Sequence, residues 1–409
     1  MLADSSKLKA LPPPQCQYFV VRKKRLCRMT VRPGRQYCGE HEPQPRREDG
    51  ERDTRIPCPN DPKHTCYASK LEKHLTICNA RPTDLPDYII PNVNIPAATD
   101  TFTRTTLSEV PRDILAQVVD KVNCLYEKYV KHEIKSLKEQ PIHWTVVEEF
   151  SDPSRTESSL RHLRQTSSLL HMMETAGLVR DHTCYVELGA GKGLVSYYLW
   201  QAWCSAGSDS TGLLLDRAAL RHKRDNKLPA RVVRVRADLA HVALERVPAV
   251  RARPGVVGVA KHLCGAATDL ALHCMTSAAV LHKTRGLAMA TCCHHRCDPH
   301  VYLGREQLRE LGVTDEDFNV ILGIVSWATC GDGRPREKRA ETEEETDREL
   351  VANDAEMRRQ RALTGRKAKS LLDWGRAAAL RGKGFNVDLV IFVPDSVSPE
   401  NLAIVAVKP

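Results

Sequence analysis

Two clusters of cysteine and histidine near the start of the chain have the spacing of metal ligands. The first has the pattern C-x10-C-x10-C-x2-H and the second C-x5-H-x9-H-x3-C. Each offers the four ligands of a tetrahedral structural zinc site, and each lies in a segment too short and polar to fold around an apolar core. We therefore predict two structural zinc ions, with the ligands Cys16, Cys27, Cys38 and His41 in one module and Cys58, His64, His74 and Cys78 in the other.

A glycine-rich loop at 189–193 has the chemistry of a cofactor site. It follows a predicted buried strand at 184–188 and precedes a predicted helix at 194–200. Glycines let the backbone approach a ligand closely, and a helix N-terminus offers free N–H groups. The spacing is G-x-G-x-G, whereas dinucleotide-binding folds have G-x-G-x-x-G.

Acidic residues lie at the ends of the predicted strands around this loop: Glu187 before the first glycine, Asp216 after the second strand and Asp238 after the third. At these places Asp216 can accept ribose hydroxyls and Asp238 can hold an adenine edge. Taken alone, either aspartate is better explained as a turn residue. Their coincidence with the loop favours S-adenosylmethionine over a nicotinamide cofactor. The predicted cofactor-binding residues are Glu187, Gly189, Gly191, Gly193, Asp216 and Asp238.

Two further predicted strands run into unusual strings, KHLCG at 261–265 and TCCHHRC at 291–297. Ligands of open α/β sheets bind outside the carboxyl ends of the strands, so both strings should line the site. The second string has three interpretations. It is a substrate-handling loop with a base for a hydroxyl, a pair of small buried hydrophobes at Cys292 and Cys293, or a third zinc site. The third zinc would take two or three ligands from Cys292, Cys293, His294, His295 and Cys297.

Composition restricts the class of protein. The 409 residues carry a formal net charge of +10, which favours an acidic partner such as nucleic acid. No apolar stretch approaches the ~18 residues of a membrane span, and the first 30 residues have no run of signal-peptide type. Fifteen cysteines without such a signal indicate reduced thiols and metal ligands. We expect no membrane partner and a location in the cytoplasm or nucleus.

The chain divides into segments of different pattern. The helical segment should contain an amphipathic helix at 108–137 and a second helix at 158–175, because apolar residues recur there at steps of three and four. The predicted segments are a first zinc module at 1–42, with a flexible tail at 1–14, a second module at 55–81, a linker at 82–107, a helical segment at 108–178 and an α/β domain at 179–409.

Short apolar runs alternate with helical stretches after residue 180, which is typical of a doubly wound α/β sheet. A segment dense in both charge signs, at 334–361, is a solvated helix or a disordered insertion. The last two runs, at 387–393 and 402–407, predict an antiparallel hairpin at a sheet edge. The earlier predicted strands are 184–188, 212–215, 231–235, 256–260 and 286–290.

Several strings resemble those of the eukaryotic tRNA 2′-O-methyltransferase family that modifies the fourth nucleotide of the acceptor stem. The resemblance implies a Rossmann-like class I S-adenosylmethionine-dependent methyltransferase domain, preceded by CCCH and CHHC zinc fingers. It also implies methyl transfer to a ribose 2′-hydroxyl of tRNA. The matching strings are CGEH at 38–41, CPNDPKH at 58–64, the glycine loop with its strand end at 187–193, KHLCGAATDLAL at 261–272, CCHHRCD at 292–298 and SWATCG at 326–331.

Lys261 is the leading candidate for deprotonating that hydroxyl or stabilising the alkoxide, and His262, His294 and His295 follow it unranked. Asp269 either orients a base or caps a helix. One departure from the family concerns the second finger, where Cys66 offers the alternate ligand register C-x7-C-x7-H-x3-C. That register would replace His64.

The fingers are predicted to bind tRNA. Residues 16–41 contain seven Arg or Lys and one acidic residue, and Tyr18, Phe19 and Tyr37 lie among them. Such a segment can contact phosphates and stack on bases. A basic face around a purely structural zinc is the alternative. Two rival functions are a non-catalytic RNA-binding protein and an RNA base methyltransferase. The intact glycine loop argues against the first. The second is disfavoured because the fourth strand lacks the Asn/Asp-Pro-Pro-aromatic string of amino-methylating enzymes. Oligomeric state is not predicted.

Overall fold

The computed structural model describes residues 15–21, 25–31, 34–38, 41, 53–78, 80, 85–97, 102–204, 207–220, 224–330 and 348–409. The chain forms two compact units, Met1–Asp84 and Leu85–Pro409, and each is described by itself. The predicted tail at 1–14 lies outside the described residues. So do residues 334–347 of the charged segment and parts of the predicted linkers.

The first unit contains little regular structure. Strand β1 (Phe19–Val20) pairs antiparallel with β2 (Arg25–Leu26), and β3 (Arg55–Cys58) pairs antiparallel with β4 (Asp61–Tyr67). Helix α1 (Leu71–Ile77) follows β4. The buried apolar cluster around β1 and β2 consists of Val31 and three cysteines of the predicted ligand set. The ligands themselves therefore make up most of that core.

The second unit is built on an eight-stranded sheet. Its strands are β5 (Ile134–Ser136), β6 (Thr183–Leu188), β7 (Thr211–Leu215), β8 (Val232–Val235), β9 (Gly255–Cys264), β10 (Thr284–Cys292), β11 (Asn386–Ile391) and β12 (Leu402–Val407).

The spatial order is β5-β11-β12-β10-β9-β6-β7-β8. Strand β12 runs antiparallel to β10 and β11, whereas the other neighbours pair in parallel. The predicted α/β class with a large, mostly parallel sheet is confirmed, as is the closing antiparallel hairpin. The predicted edge position of that hairpin is wrong, because β5 pairs with β11 and forms the edge.

Strand β5 replaces the end of a predicted helix. A continuous helix is predicted at 108–137, but the α-helix ends at Leu125, widens into one π-helical turn over Tyr126–Val130 and then tightens into a 3₁₀ turn over Lys131–Glu133. Ile134 then takes an extended conformation and packs into the apolar core beside the sheet. Backbone pairing of Ile134 with Leu389 of β11 therefore overrides the helical periodicity of the sequence at this point.

Helices cover both faces of the sheet. The predicted helix at 158–175 is present as α4, and the charged residues after 347 begin the long helix α11, with exposed side chains at 355–361. The helices of this unit are α2 (Arg112–Leu125), α3 (Trp144–Phe150), α4 (Glu157–Thr175), α5 (Leu194–Trp203), α6 (Pro248–Arg251), α7 (Ala266–Thr276), α8 (Arg305–Glu310), α9 (Asp315–Ile324), α10 (Trp327–Cys330) and α11 (Arg348–Gly382).

Alternation along the strands separates the two apolar layers. Val186 and Leu213 pack on the side of α6, α7 and the end of α11. Tyr185 and Val257 pack on the opposite side, against α3, α4 and α5. A further layer of α2, α8 and α9 packs against the middle of α11. Among the helices of the described residues, none is long and apolar enough to cross a membrane.

Candidate functional site

The two predicted zinc ligand sets are each brought together in the first unit. In each set, one ligand atom from every residue lies within 4.8 Å of the others. Nδ1 of His41 lies 3.4 Å from Sγ of Cys38, and Sγ of Cys58 lies 3.7 Å from Sγ of Cys78. Four borderline-soft donors at these separations fit a tetrahedral zinc ion.

The alternate register of the second module does not assemble. His64 belongs to the converging set, with Nε2 3.2 Å from Nε2 of His74. Cys66 is buried but is not part of that set. Because residues 64 and 66 lie on the same strand, β4, the sulfur would need a shifted strand register to replace the imidazole.

The glycine loop turns sharply between β6 and α5. Gly189, Gly191 and Gly193 all have positive φ angles, +67°, +51° and +73°. A Cβ at Gly189 would lie 2.5 Å from Cδ1 of Leu263, so a side chain there would require the Leu263 side chain to shift. The loop therefore presents bare backbone at the carboxyl end of the sheet.

Asp216 fixes this loop. Its Oδ2 accepts a hydrogen bond from the Gly191 N–H at 2.7 Å, and its Oδ1 accepts one from the Ala218 N–H at 2.7 Å. Asp238 lies three residues beyond the end of β8, where its Oδ1 accepts from the Ala240 N–H and starts a short helical turn. Both carboxylates face the same cavity.

That cavity has a volume of about 450 Å³, which is in the range of small-molecule sites. It lies at the carboxyl ends of β6, β7 and β9 and beside the turn after β8. Arg296 and Cys264 belong to its wall, which agrees with the prediction that the strings at 261–265 and 291–297 line the site, although neither residue was named as cofactor-binding. The side chains and loop residues that define it include Gly189, Asp216, Asp238, His262, Cys264 and Arg296.

Glu187 lies behind the loop and not in the cavity wall. Its side chain is buried, and Oε2 accepts a hydrogen bond from the Ser196 N–H of α5 at 2.9 Å. Burial raises the pKa of this carboxyl to about 7. Glu187 therefore holds the start of α5 against β6, and it supports the loop from below.

Lys261 and His262 both contact α4. Strand β9 continues four residues beyond its predicted end, and Nζ of half-buried Lys261 donates to the His162 carbonyl at 3.1 Å and to Oγ1 of Thr166 at 3.2 Å. Burial lowers the pKa of Lys261 to about 8. Nε2 of His262 donates to Oε1 of Gln165 at 2.5 Å, and burial followed by the charge of Lys261 lowers its pKa to about 4. His262 is therefore neutral at pH 7, with Nδ1 as its acceptor.

His294 and Asp269 belong to a buried ionic network. Nε2 of His294 donates to Oδ2 of Asp373 at 2.9 Å, and Arg376 joins Asp373 to Asp269 through hydrogen bonds of 2.7–2.9 Å. Burial opposes ionisation of Asp373, but His294 and Arg376 lower its pKa to about 2. Asp269 is thus an ion-pair partner of Arg376 inside α7. It is connected to His294 only through Arg376 and Asp373.

His295 is also outside the set of residues that line the cavity. Its carbonyl accepts a hydrogen bond from the Arg104 guanidinium, and partial burial lowers the pKa of its ring. Of the four predicted catalytic residues, His262 lines the cavity, and Lys261 directly precedes His262 on β9 without being among the lining residues. His294 and His295 are not among the lining residues.

The predicted third zinc set does not assemble as written. Cys292 and Cys293 converge with Cys264, whereas Cys297 accepts a hydrogen bond from Arg376 at 2.9 Å. The hydrogen bond with Cys292 lowers the pKa of Cys264 to about 6. Cys264 was missed because it meets Cys292 only through the parallel pairing of β9 with β10, which the sequence pattern did not predict.

Comparison with known families and proteins gives three matches to family models. The model described as "Methyltransferase TRM13" matches residues 164–407. "CCCH zinc finger in TRM13 protein" matches residues 14–42, and "U11-48K-like CHHC zinc finger" matches residues 55–79.

Similar proteins come from several eukaryotes. A mouse protein named "tRNA:m(4)X modification enzyme TRM13 homolog" is 31% identical, over 96% of this chain and 94% of its own length. The human protein of the same name is 30% identical over the same shares. The "tRNA:m(4)X modification enzyme TRM13" of Saccharomyces cerevisiae is 28% identical over 96% of each chain.

Proposed function

Because this chain belongs to the TRM13 methyltransferase family, we propose that it transfers a methyl group from S-adenosylmethionine to the ribose 2′-hydroxyl of tRNA nucleotide 4. The observation that carries the proposal is the cavity at the carboxyl edge of the sheet, with the glycine loop on one side and two aspartates on the other. We propose that this unit is a Rossmann-like class I domain.

The residues of the cavity fit S-adenosylmethionine. Each oxygen of Asp216 accepts one backbone N–H, and a carboxylate has about four lone-pair sites, so two remain for ribose hydroxyls. Asp238 would hold the adenine edge, and the bare backbone at Gly189 would allow close approach. When bound, this cofactor supplies an electrophilic methyl group.

The chain's own contribution is to position the hydroxyl and take its proton. A pKa of about 8 gives Lys261 a fraction of neutral amine near pH 7, so we assign it the role of base. Neutral His262, which lines the cavity and offers Nδ1 as an acceptor, is the alternative base for that proton. His294 receives no proton-transfer role because its Nε2 is bound to Asp373 in the buried network. His295 receives none because it neither lines the cavity nor directly precedes a catalytic candidate that does.

The first finger supports tRNA binding. The Tyr18 ring is exposed and stacks on the ring of His41, with centroids 3.9 Å apart and planes at 10°. Phe19 is also exposed, and Arg28 lies nearby in sequence with an exposed side chain. Cationic groups beside free aromatic faces suit phosphate contacts and base stacking. We propose the cytoplasm or nucleus as the location, since tRNA and reduced thiols occur together there.

Isotope labelling tests the proposal. Purified full-length protein would be incubated with unmodified tRNA and S-adenosylmethionine carrying a deuterated methyl group, and nucleosides and nuclease fragments would be analysed by mass spectrometry. We expect one labelled 2′-O-methylnucleoside, at position 4. A label on a base would support the base methyltransferase, and cofactor binding without any label would support the non-catalytic RNA-binding protein.

A further inference from the structure

Three thiols meet where two neighbouring strands end. Cys264 is the last residue of β9 and Cys292 the last residue of β10, and the parallel register places them opposite each other. Their sulfur atoms are 3.4 Å apart, and the Cys293 sulfur completes a set within 4.8 Å. Their convergence depends on the pairing of two strands, not on local spacing.

The backbone departs from regular strand geometry to bring the third sulfur into this set. Adjacent residues of a strand point to opposite faces, so Cys292 and Cys293 would normally diverge. Cys293 instead has φ +51°, in the left-handed region that non-glycine residues rarely adopt. The pairing of β10 with β9 also changes register just before this point, between Ala290 and Thr291. Such strained conformations are unfavourable on their own and cluster at active sites and ligand sites.

The separations suit one ion better than a disulfide. Zinc–sulfur bonds of about 2.3 Å in tetrahedral geometry place two ligand sulfurs roughly 3.8 Å apart. Cys58 and Cys78 in the second finger are at 3.7 Å, close to the 3.4 Å between Cys264 and Cys292. A disulfide would require about 2.05 Å. The same spacing thus recurs in both units of the chain.

We propose that Cys264, Cys292 and Cys293 bind a third zinc ion as three thiolates, with water in the fourth position. The three thiols release their protons on binding. Structural zinc sites are closed by four protein ligands, whereas sites with three keep a position open to solvent or to a ligand. Water could reach the fourth position here, because Cys264 is exposed and belongs to the wall of the 450 Å³ cavity.

The ion would join the two strand ends that carry the proposed chemistry. Lys261 and His262 precede Cys264 on β9, and the buried His294 follows Cys293. A cross-link here would fix the end of β9, where His262 has φ +62°, against β10. This site is independent of the methyl-transfer proposal, since its metal content can be measured without substrate.

Zinc counting by mass spectrometry of the intact, chelator-free protein tests the proposal. We expect three zinc ions per chain in the unaltered protein, two in Cys264→Ser and one in Cys58→Ser combined with Cys264→Ser. Cys124→Ser is the matched control, because Cys124 is exposed and lies outside all three ligand sets. It should retain three ions.

Two zinc ions in the unaltered protein, or an unchanged count in Cys264→Ser, would overturn the proposal. So would a peptide joining Cys264 to Cys292 through a disulfide in protein purified under reducing conditions. If Cys264→Ser does not fold, Cys293→Ser removes a ligand outside both strands and should lose the same ion. Slower alkylation of all three thiols with zinc bound than after its removal would support the site.

Discussion

The zinc modules and the sheet unit depend on different interactions for their folding. In the first module, the buried apolar cluster contains one valine beside three cysteines that are metal ligands. The sheet unit has continuous apolar layers on both faces of eight strands, with Leu213 and Leu214 fully buried. Removal of a single ligand should therefore unfold a module, whereas the sheet unit should tolerate the loss of a site residue.

The same difference agrees with the proposed division of roles, in which the first unit binds tRNA and the sheet unit carries out methyl transfer. A module held by a metal can leave aromatic and basic side chains such as Tyr18 and Arg28 exposed, because they are not needed for a core. The sheet unit provides strand ends on which Asp216 and His262 are held by hydrogen bonds to Gly191, Ala218 and Gln165. Each of the following predictions tests one side of this comparison, from the largest expected effect to the smallest.

The largest effect is expected for Cys58→Ser. Zinc binding supplies about 10–16 kcal/mol to the folding of such a module, so the variant should lose one zinc and all hydrogen-exchange protection across residues 55–78. The thermal transition of the sheet unit should be unchanged. Cys66→Ser is the control and should keep its zinc. Zinc loss in Cys66→Ser with retention in His64→Ala would reverse the ligand assignment.

Lys261→Ala should reduce single-turnover methyl transfer by about 10²- to 10⁴-fold, the usual contribution of a general base. Cofactor and tRNA dissociation constants should change less than threefold. Lys261→Arg keeps a cation for the contacts with α4 but cannot act as a base, so it should be similarly slow. A rate within threefold of the unaltered protein would transfer the role to His262.

The pH dependence gives a second measurement. A base must be unprotonated, so a lysine with a pKa of about 8 predicts a transfer rate that rises tenfold per pH unit below 8 and levels above it. His262, whose pKa is lowered to about 4, would give a flat profile from pH 6 to 9. Single-turnover rates over that range distinguish the two residues.

Arg376→Leu should destabilise the sheet unit by about 3–5 kcal/mol, because Asp269 and Asp373 would remain buried without their partner. Arg366→Leu is the control on the same helix. Its pair with Asp395 is exposed, and it should cost less than about 1 kcal/mol. Denaturant titration measures both, and similar losses would show that burial of the network does not matter.

The same network predicts an acid dependence. The pKa of Asp373 is lowered from 3.8 to about 2, so its stabilising contribution is complete above pH 4 and is lost as the pH falls towards 2. In Arg376→Leu the pKa of Asp373 should rise because one positive charge is missing. The loss between pH 4 and pH 2 should then be smaller.

Asp216→Ala should weaken S-adenosylmethionine binding by roughly 1–3 kcal/mol, or about 5- to 150-fold, since it removes ribose acceptors and the anchor of Gly191. Calorimetry would measure this. Asp120→Ala, at an exposed position of α2, is the control and should bind normally. An unchanged dissociation constant for Asp216→Ala would remove it from the site.

The smallest effect is expected for Arg28→Ala. One lost phosphate contact should weaken tRNA binding equally for all sequences and reduce the slope of log affinity against log salt by about 1. Cofactor affinity should be unchanged. An unaltered slope would favour the alternative of a basic face around a purely structural zinc.

Local patterns predicted the parts of the molecule that depend on neighbours in sequence. The finger ligands follow from spacing, and β6 and β9 follow from apolar runs. Strand β5 was missed because three residues are too few for a period, and only pairing with β11 makes them a strand. The convergence of Cys264 with Cys292 and Cys293 was missed because it depends on how β9 and β10 pair. The pair of His294 with Asp373 was missed because the two residues are 79 positions apart in sequence.

Strand β5 also determines where the chain can be shortened. The match to the methyltransferase family model begins at residue 164, after this strand. A fragment that starts there would leave β11 with unpaired N–H and C=O groups along its outer side, beside the apolar Leu389 and Val390. Open edges of this kind pair with other copies and cause aggregation. Three residues, Ile134 to Ser136, thus protect this side of the sheet from self-association.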